Sequence, residues 1–152
     1  MKMETRTLTR GEVISMVRAY TQERFGTQPG FKGAFLIGSI NEMPDDVPFP
    51  IYRDVDVGVI TDQVQEMENL ETSVQGYIVE SVLYAPKLCE NAETLLSDNR
   101  YASNFAADSS LLDPRGFLAP IHEKVRDEFA RRKWVAARCA KELDEVKKGW
   151  TE

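Results

Sequence analysis

Residues 31–61 read FKGAFLIGSINEMPDDVPFPIYRDVDVGVIT, and the fold is decided there. The apolar run Ala34-Phe35-Leu36-Ile37 stops at Gly38-Ser39. An irregular stretch with Pro44, Pro48 and Pro50 follows, and then a second run, Asp54-Val55-Asp56-Val57-Gly58-Val59-Ile60. Both runs read as strands, over about 32–37 and 55–60. Successive side chains of a strand point to opposite faces. Asp54 and Asp56 therefore share one face, and Val55, Val57 and Val59 share the other. Carboxylates side by side repel and raise each other's pKa, so the arrangement contributes nothing to stability. A divalent cation removes that cost, because Mg²⁺ favours carboxylate oxygens and shares its other positions with water and substrate phosphates.

Working outward, residues 1–8 are polar and expected to fray. Thr9 followed by Glu12 makes a capping box. Val13, Met16, Val17 and Tyr20 then recur at helical spacing, which predicts a helix over 10–25 ending at Gly26. Pro29-Gly30 is a turn before the first strand, whose small and apolar residues imply burial on both faces. In the loop over 40–53, Glu42, Asp45 and Asp46 are either solvated carboxylates or an acidic mouth for a basic acceptor. Arg53 either pairs with an acidic neighbour or faces phosphates. Val64, Met67 and Leu70 recur every third residue, so a short helix is expected within 62–71. Gly76 opens YIVESVLY, residues 77–84, a third strand rich in β-formers. Glu80 interrupts it, and a charge within an apolar strand is costly without a partner. The alternative is an edge strand that turns Glu80 to water.

Pro86 ends that strand, and a helix is expected over 87–98 with Leu88, Ala92, Leu95 and Leu96 inward. Residues 99–116 hold polar and small residues and then the turn signal Leu111-Leu112-Asp113-Pro114-Arg115-Gly116. One long amphipathic helix is expected over 118–148, with Ile121, Val125, Phe129, Val135, Leu143 and Val146 on its apolar side and a solvated charged face. Some thirty residues at 1.5 Å each make about 45 Å, more than one domain of this size needs. That length implies a dimer contact or a partner helix through 117–150, or the start of a helical second domain. The division expected is 1–116 as the main domain and 117–152 as the C-terminal helix.

The whole chain has 152 residues, 42% hydrophobic and 29% charged, which fits one globular domain with its own core. A net charge of −6 disfavours a general grip on nucleic acid. Cys89 and Cys139 have neither metal spacing nor a paired motif, so free thiols in a reducing, cytoplasmic setting are expected. No secretory h-region and no run of eighteen apolar residues occurs, so no membrane span is expected. A single histidine, His122, leaves no His-rich metal site and argues against a Ser-His-Asp triad.

The order Ile37-Gly38-Ser39, a spacer, then Asp54-Val55-Asp56-Val57 resembles the nucleotidyltransferase superfamily, the group that includes DNA polymerase β and kanamycin nucleotidyltransferase. The resemblance covers residues 11–86, about half of the chain. Residues 40–53 form a longer spacer than is usual, and its prolines require the helix that begins at Gly-Ser to be short. The resemblance implies an α/β (α+β) fold, a small mixed sheet flanked by helices, here with a long C-terminal helix. It implies a metal-dependent transfer of a nucleoside monophosphate from a nucleotide triphosphate to a hydroxyl of an acceptor. By the same resemblance Asp54, Asp56 and Glu80 are the catalytic and metal-binding carboxylates for Mg²⁺ or Mn²⁺, Glu80 being the acidic residue of the third strand. Gly38, Ser39 and Arg53 are then the nucleotide-binding residues. A small hydroxylated acceptor suits the acidic charge better than nucleic acid. The alternative is a non-catalytic nucleotide-binding or regulatory domain of the same fold, as in small nucleotidyltransferases that act as antitoxin-like partners of helical toxins.

Overall fold

The apolar runs on either side of the proline loop lie next to each other in the sheet. In the computed structural model, which describes residues 7–151, β1 (Phe31–Ile37) pairs antiparallel with β2 (Val55–Thr61). Their register sets Ile37 opposite Asp56 and Phe35 opposite Gly58. Beyond them come β3 (Glu68–Val74), β4 (Tyr77–Tyr84) and β5 (Ser110–Leu112), in the spatial order β3-β4-β2-β1-β5. Only β2 and β4 run parallel, and the other pairings are antiparallel. The sheet is mixed, as expected.

One face is closed by α1 (Arg10–Thr21), which begins with the capping box that Thr9 and Glu12 foretold. Val13, Ile14, Met16 and Val17 pack there against Ala34, Leu36, Val55, Val57, Val59, Val79 and Leu83. The last turn of the expected 10–25 helix widens into a π-turn over Gln22–Gly26. The proline loop is tied down on this side. Tyr77 donates its hydroxyl to the Phe49 carbonyl (2.7 Å), and Arg10 reaches the Ile40 carbonyl (3.0 Å) and the Asp45 carboxylate (2.6 Å). Asp45 is thus paired rather than merely solvated. The opposite face is covered over part of its length by α2 (Ala92–Leu96), α3 (Asn99–Ala106) and α4 (Ala119–Glu128). Leu95, Leu96, Phe105, Leu118 and Val125 cluster there with Phe35 and Ile60. Gly58 makes room for this packing: a Cβ there would collide with the Phe35 ring.

Several expectations need correction. The short helix expected within 62–71 is absent; β3 takes up its end and forms a hairpin with β4. Gln75 and Gly76 have φ of 50° and 88°, the two-residue turn that matches the twist of a hairpin. Ladder hydrogen bonds outweigh the weak three-residue spacing of Val64, Met67 and Leu70. The helix expected over 87–98 is a 3₁₀ turn at Pro86–Cys89 and then α2, divided because Asn91 caps a new start by accepting the Glu93 N–H. The stretch 99–116, where only a turn is expected, also contains α3 and β5. The single helix expected over 118–148 is two, α4 and α5 (Arg132–Thr151). No proline or glycine lies at the break. There the Phe129 carbonyl is taken by the Arg138 guanidinium (2.7 Å), which also lies 4.3 Å above the Phe129 ring. The fraying expected over 1–8 falls mainly on 1–6, outside the described residues. Among the described residues no helix is long and apolar enough to cross a membrane. Cys89 and Cys139 are both free.

Candidate active site

Where the helices end, the second face of the sheet is open, and Asp56 lies there. It is half-buried on β2, with Glu80 of β4 beside it in parallel register and Ile37 of β1 on its other flank. Residues paired in a ladder project to the same side, so Asp56 and Glu80 stand together on that face. Because β4 lies between β3 and β2, Glu80 is not on an edge strand. Asp54 precedes β2, exposed, and adds its negative field. Burial, then Glu80, then Asp54, raise the Asp56 pKa above the ordinary carboxylate range. Asn69 of β3 donates to Glu80 Oε1 at 3.3 Å. Asp56 and Glu80 are therefore brought together, and Asp54 lies near enough to act on Asp56. Among the described residues, however, no three His, Cys, Asp or Glu side chains form a group that could hold a metal ion by themselves.

Ile37 leads directly into the Gly-Ser bend. Gly38 has φ of 90° and ψ of −159°, a conformation that L side chains rarely adopt, and its Cβ direction is open. Ser39 starts a single 3₁₀ turn, Ser39–Glu42, the short helix the prolines required. The Gly38 N–H donates to Asn104 Oδ1 (2.9 Å), so α3 holds the bend. Asn104 donates in turn to the Arg100 carbonyl (3.0 Å). Among the described residues Arg53 has no acidic partner: its guanidinium donates to Ser39 Oγ and lies 5.1 Å from the Phe49 ring centre. Ser39 and Arg53 thus form one exposed polar edge.

A cleft of about 360 Å³ opens over this face, lined by Ile37, Asp56, Glu80, Val82, Tyr84 and Arg100. Sequence reading missed Arg100 and Tyr84 as site residues. Tyr84 stacks on Phe35 with ring centres 6.4 Å apart, and burial pushes its phenol up to about 12. Arg100 is anchored by Asp98, whose side chain is only 7% exposed, at 2.7 Å. Lys141 of α5 reaches the same carboxylate, also at 2.7 Å. The hydrogen bond from Arg100, with that from Lys141, holds the Asp98 pKa well below the carboxylate range against the cost of burial. The signal for this pair was local: Asp98 followed by Arg100 is an acidic N-cap with a cation two residues on.

No protein-family model and no curated protein matches the chain. Among solved structures it is similar to a nucleotidyltransferase-like protein from Exiguobacterium sibiricum 255-15, with a TM-score of 0.57 and 16% sequence identity. The match covers 78% of this chain and 40% of that one, so this chain spans about two fifths of that protein's length. At that identity the likeness concerns the backbone. It shows that the five-stranded mixed sheet with its flanking helices and long C-terminal helix is a nucleotidyltransferase-like α+β fold.

Proposed function

We propose that the protein is a nucleotidyltransferase that moves a nucleoside monophosphate from a nucleotide triphosphate to a hydroxyl of a small acceptor. One observation carries the reading: Asp56 and Glu80 are in register on neighbouring strands of an open sheet face, and the strand flanking Asp56 runs straight into Gly38-Ser39. Two carboxylates crowded together, neither in an ion pair among the described residues, favour a cation. The oxygen donors suit Mg²⁺ or Mn²⁺ shared with phosphate oxygens, rather than an ion enclosed by protein alone. Asp54 and Asp56 are the residues that would hold it. When bound, the ion supplies neutralisation of the charge on the phosphates.

The chain's own groups do the rest. Ser39 and Arg53 offer donors to the triphosphate, and Arg100 places a cation at the rim of the cleft. Glu80, oriented by Asn69, accepts the proton of the acceptor hydroxyl as that oxygen bonds to the α-phosphorus. The bond from the α-phosphorus to the bridging oxygen breaks, and pyrophosphate leaves. Positioning and charge neutralisation carry most of such a reaction.

The test is a thermal-shift titration of each common nucleoside triphosphate with and without Mg²⁺, followed by pyrophosphate release over a panel of hydroxylated acceptors. A Mg²⁺-dependent rise in Tm that disappears in Asp54→Asn/Asp56→Asn supports the reading. Binding without pyrophosphate release reduces it to a nucleotide-binding domain, and the absence of any nucleotide effect rejects it.

A further inference from the structure

The sheet face that carries Asp56 and Glu80 has two ends. Ile37 is opposite Asp56 in an antiparallel pair. Gly38 and Ser39, which follow Ile37, and Arg53, which precedes Asp54, therefore lie off the start of β2. The cleft runs the other way, along β4. Glu80, Val82 and Tyr84 share one side of that strand, with Val82 beside Gly58 and Tyr84 beside Ile60. At about 3.3 Å per residue, Val82 is about 7 Å and Tyr84 about 13 Å beyond Glu80. The carboxylate pair thus stands between an edge of phosphate donors and a cleft of different chemistry.

That cleft combines an apolar floor, Ile37 and Val82, with a cation. Arg100 lines it, and its charge acts on the Tyr84 phenol, so the cation stands at the end away from Glu80. The guanidinium is fixed along one edge: Nε and Nη2 donate to the Asp98 carboxylate at 3.1 and 2.7 Å. Lys141 takes the same carboxylate at 2.7 Å, so one negative charge is divided between two cations. Among the described residues Arg100 Nη1 donates to no partner, and the side chain is 68% exposed. A guanidinium held along one edge keeps its other N–H groups for a second oxyanion.

In-line transfer sets the entering and leaving oxygens on opposite sides of the phosphorus. With pyrophosphate held towards Ser39 and Arg53, the attacking hydroxyl comes from the cleft side of Glu80. We propose that the cleft is the acceptor's subsite, and that the acceptor carries, besides its hydroxyl, a phosphate or carboxylate that Arg100 binds. The inference rests on the nucleotidyltransferase reading and adds the acceptor's class to it: a small hydroxylated molecule with one anionic end. Ile37 and Val82 meet its carbon skeleton. The hydroxyl lies at Glu80, which takes its proton, and the anionic end lies at Arg100. The Val82 row keeps that end apart from Asp56 and Glu80, whose charge would repel it. Asp98 and Lys141 are positioning residues for Arg100. A volume of about 360 Å³ is near the lower end of the range for small-molecule sites.

Calorimetric titration of matched pairs into the full chain, with Mg²⁺ and a non-hydrolysable nucleoside triphosphate present, tests it. The pairs are ribose 5-phosphate against ribose and glucuronate against glucose. The anionic member of at least one pair is expected to bind about 10- to 100-fold more tightly than its neutral twin, the scale of a hydrogen bond to a charged group. Which pair shows the preference separates phosphate from carboxylate. Arg100→Gln is expected to remove the preference while the neutral twin still binds and the Mg²⁺-dependent nucleotide shift in Tm persists. Arg100→Lys is expected to retain part of it. A purely structural role for Arg100 would instead weaken both twins alike, and that result overturns the proposal. Equal affinities, or no binding in either pair, overturn it too, and the nucleotidyltransferase reading then stands on the nucleotide shift alone. Loss of that shift in Arg100→Gln overturns it by assigning Arg100 to the triphosphate. Absence of any nucleotide effect in the native chain rejects the underlying reading, and the acceptor assignment with it.

Discussion

The two faces of β2 differ although they are built from the same seven residues. Val55, Val57 and Val59 lie under α1 in a closed apolar layer. On the reverse side Ile60 and Gly58 are covered by α2, α3 and α4 packed around Phe35, but the cover ends before Asp56. The candidate site is thus the part of a core face that the helices leave open. Its polar residues stand in ladder positions whose neighbours two residues along are sealed, so the strand backbone that carries Asp56 is held rigidly by packing it does not share.

The strongest test of that contrast is Val57→Asp. It transfers a carboxylate one residue along, from the open face to the closed one, and is expected to destabilise by more than about 4 kcal/mol. A thermal melt by circular dichroism checks this; a melt like that of the native chain would mean the α1 face is not closed. Asp56→Asn is the complement. It is expected to lower transfer activity by about 10³-fold, measured as pyrophosphate release, while raising the Tm of the nucleotide-free protein. The sign follows from the raised pKa of Asp56. Its ionised form is disfavoured in the fold, so wild-type stability declines as pH rises above about 4, through the folded pKa, and the gap to Asp56→Asn widens over that range.

Asp98→Asn sharpens the comparison from the covered side. The Asp98 pKa is depressed, so its stabilisation is complete above about 4 and is lost as pH falls below that value. Near neutral pH the substitution is expected to cost about 1–3 kcal/mol, because the carboxylate serves two charged donors. Acid titration of Tm is expected to be flatter in the variant. The smallest effect is expected at Asn69→Ala, within about 0.5 kcal/mol of neutral for stability. Its signature is a shift in the pH profile of pyrophosphate release rather than in the melt, since Asn69 bonds Glu80.

What sequence reading recovered is what short-range periodicity encodes. The alternation of Asp and Val over 54–59 placed the aspartates and valines on opposite faces before any coordinates, and the capping box set the start of α1. The position of Glu80 within YIVESVLY put it on the right strand, although only the parallel register with β2 sets it beside Asp56. The features that were missed depend on distant partners or lack an apolar period. β3 is exposed along most of its length and carries Glu68 and Glu71, so no buried face marked it as a strand. Gln75-Gly76 was its one legible sign. The break between α4 and α5 is made by Arg138, nine residues beyond the Phe129 carbonyl it binds. Asn104 meets Gly38 across 66 residues of chain, a pairing that no local pattern encodes.

Asp98 is shared between a residue at the rim of the cleft and a residue of the C-terminal helix, and that has a thermodynamic consequence. Any ligand group that competes for Arg100 changes how firmly Asp98 can hold Lys141, and any force on α5 changes how firmly Asp98 can hold Arg100. Such effects are reciprocal in free energy. A group bound in the cleft that drew on Arg100 would therefore act on the attachment of the helix as well, through the one buried carboxylate that serves both cations.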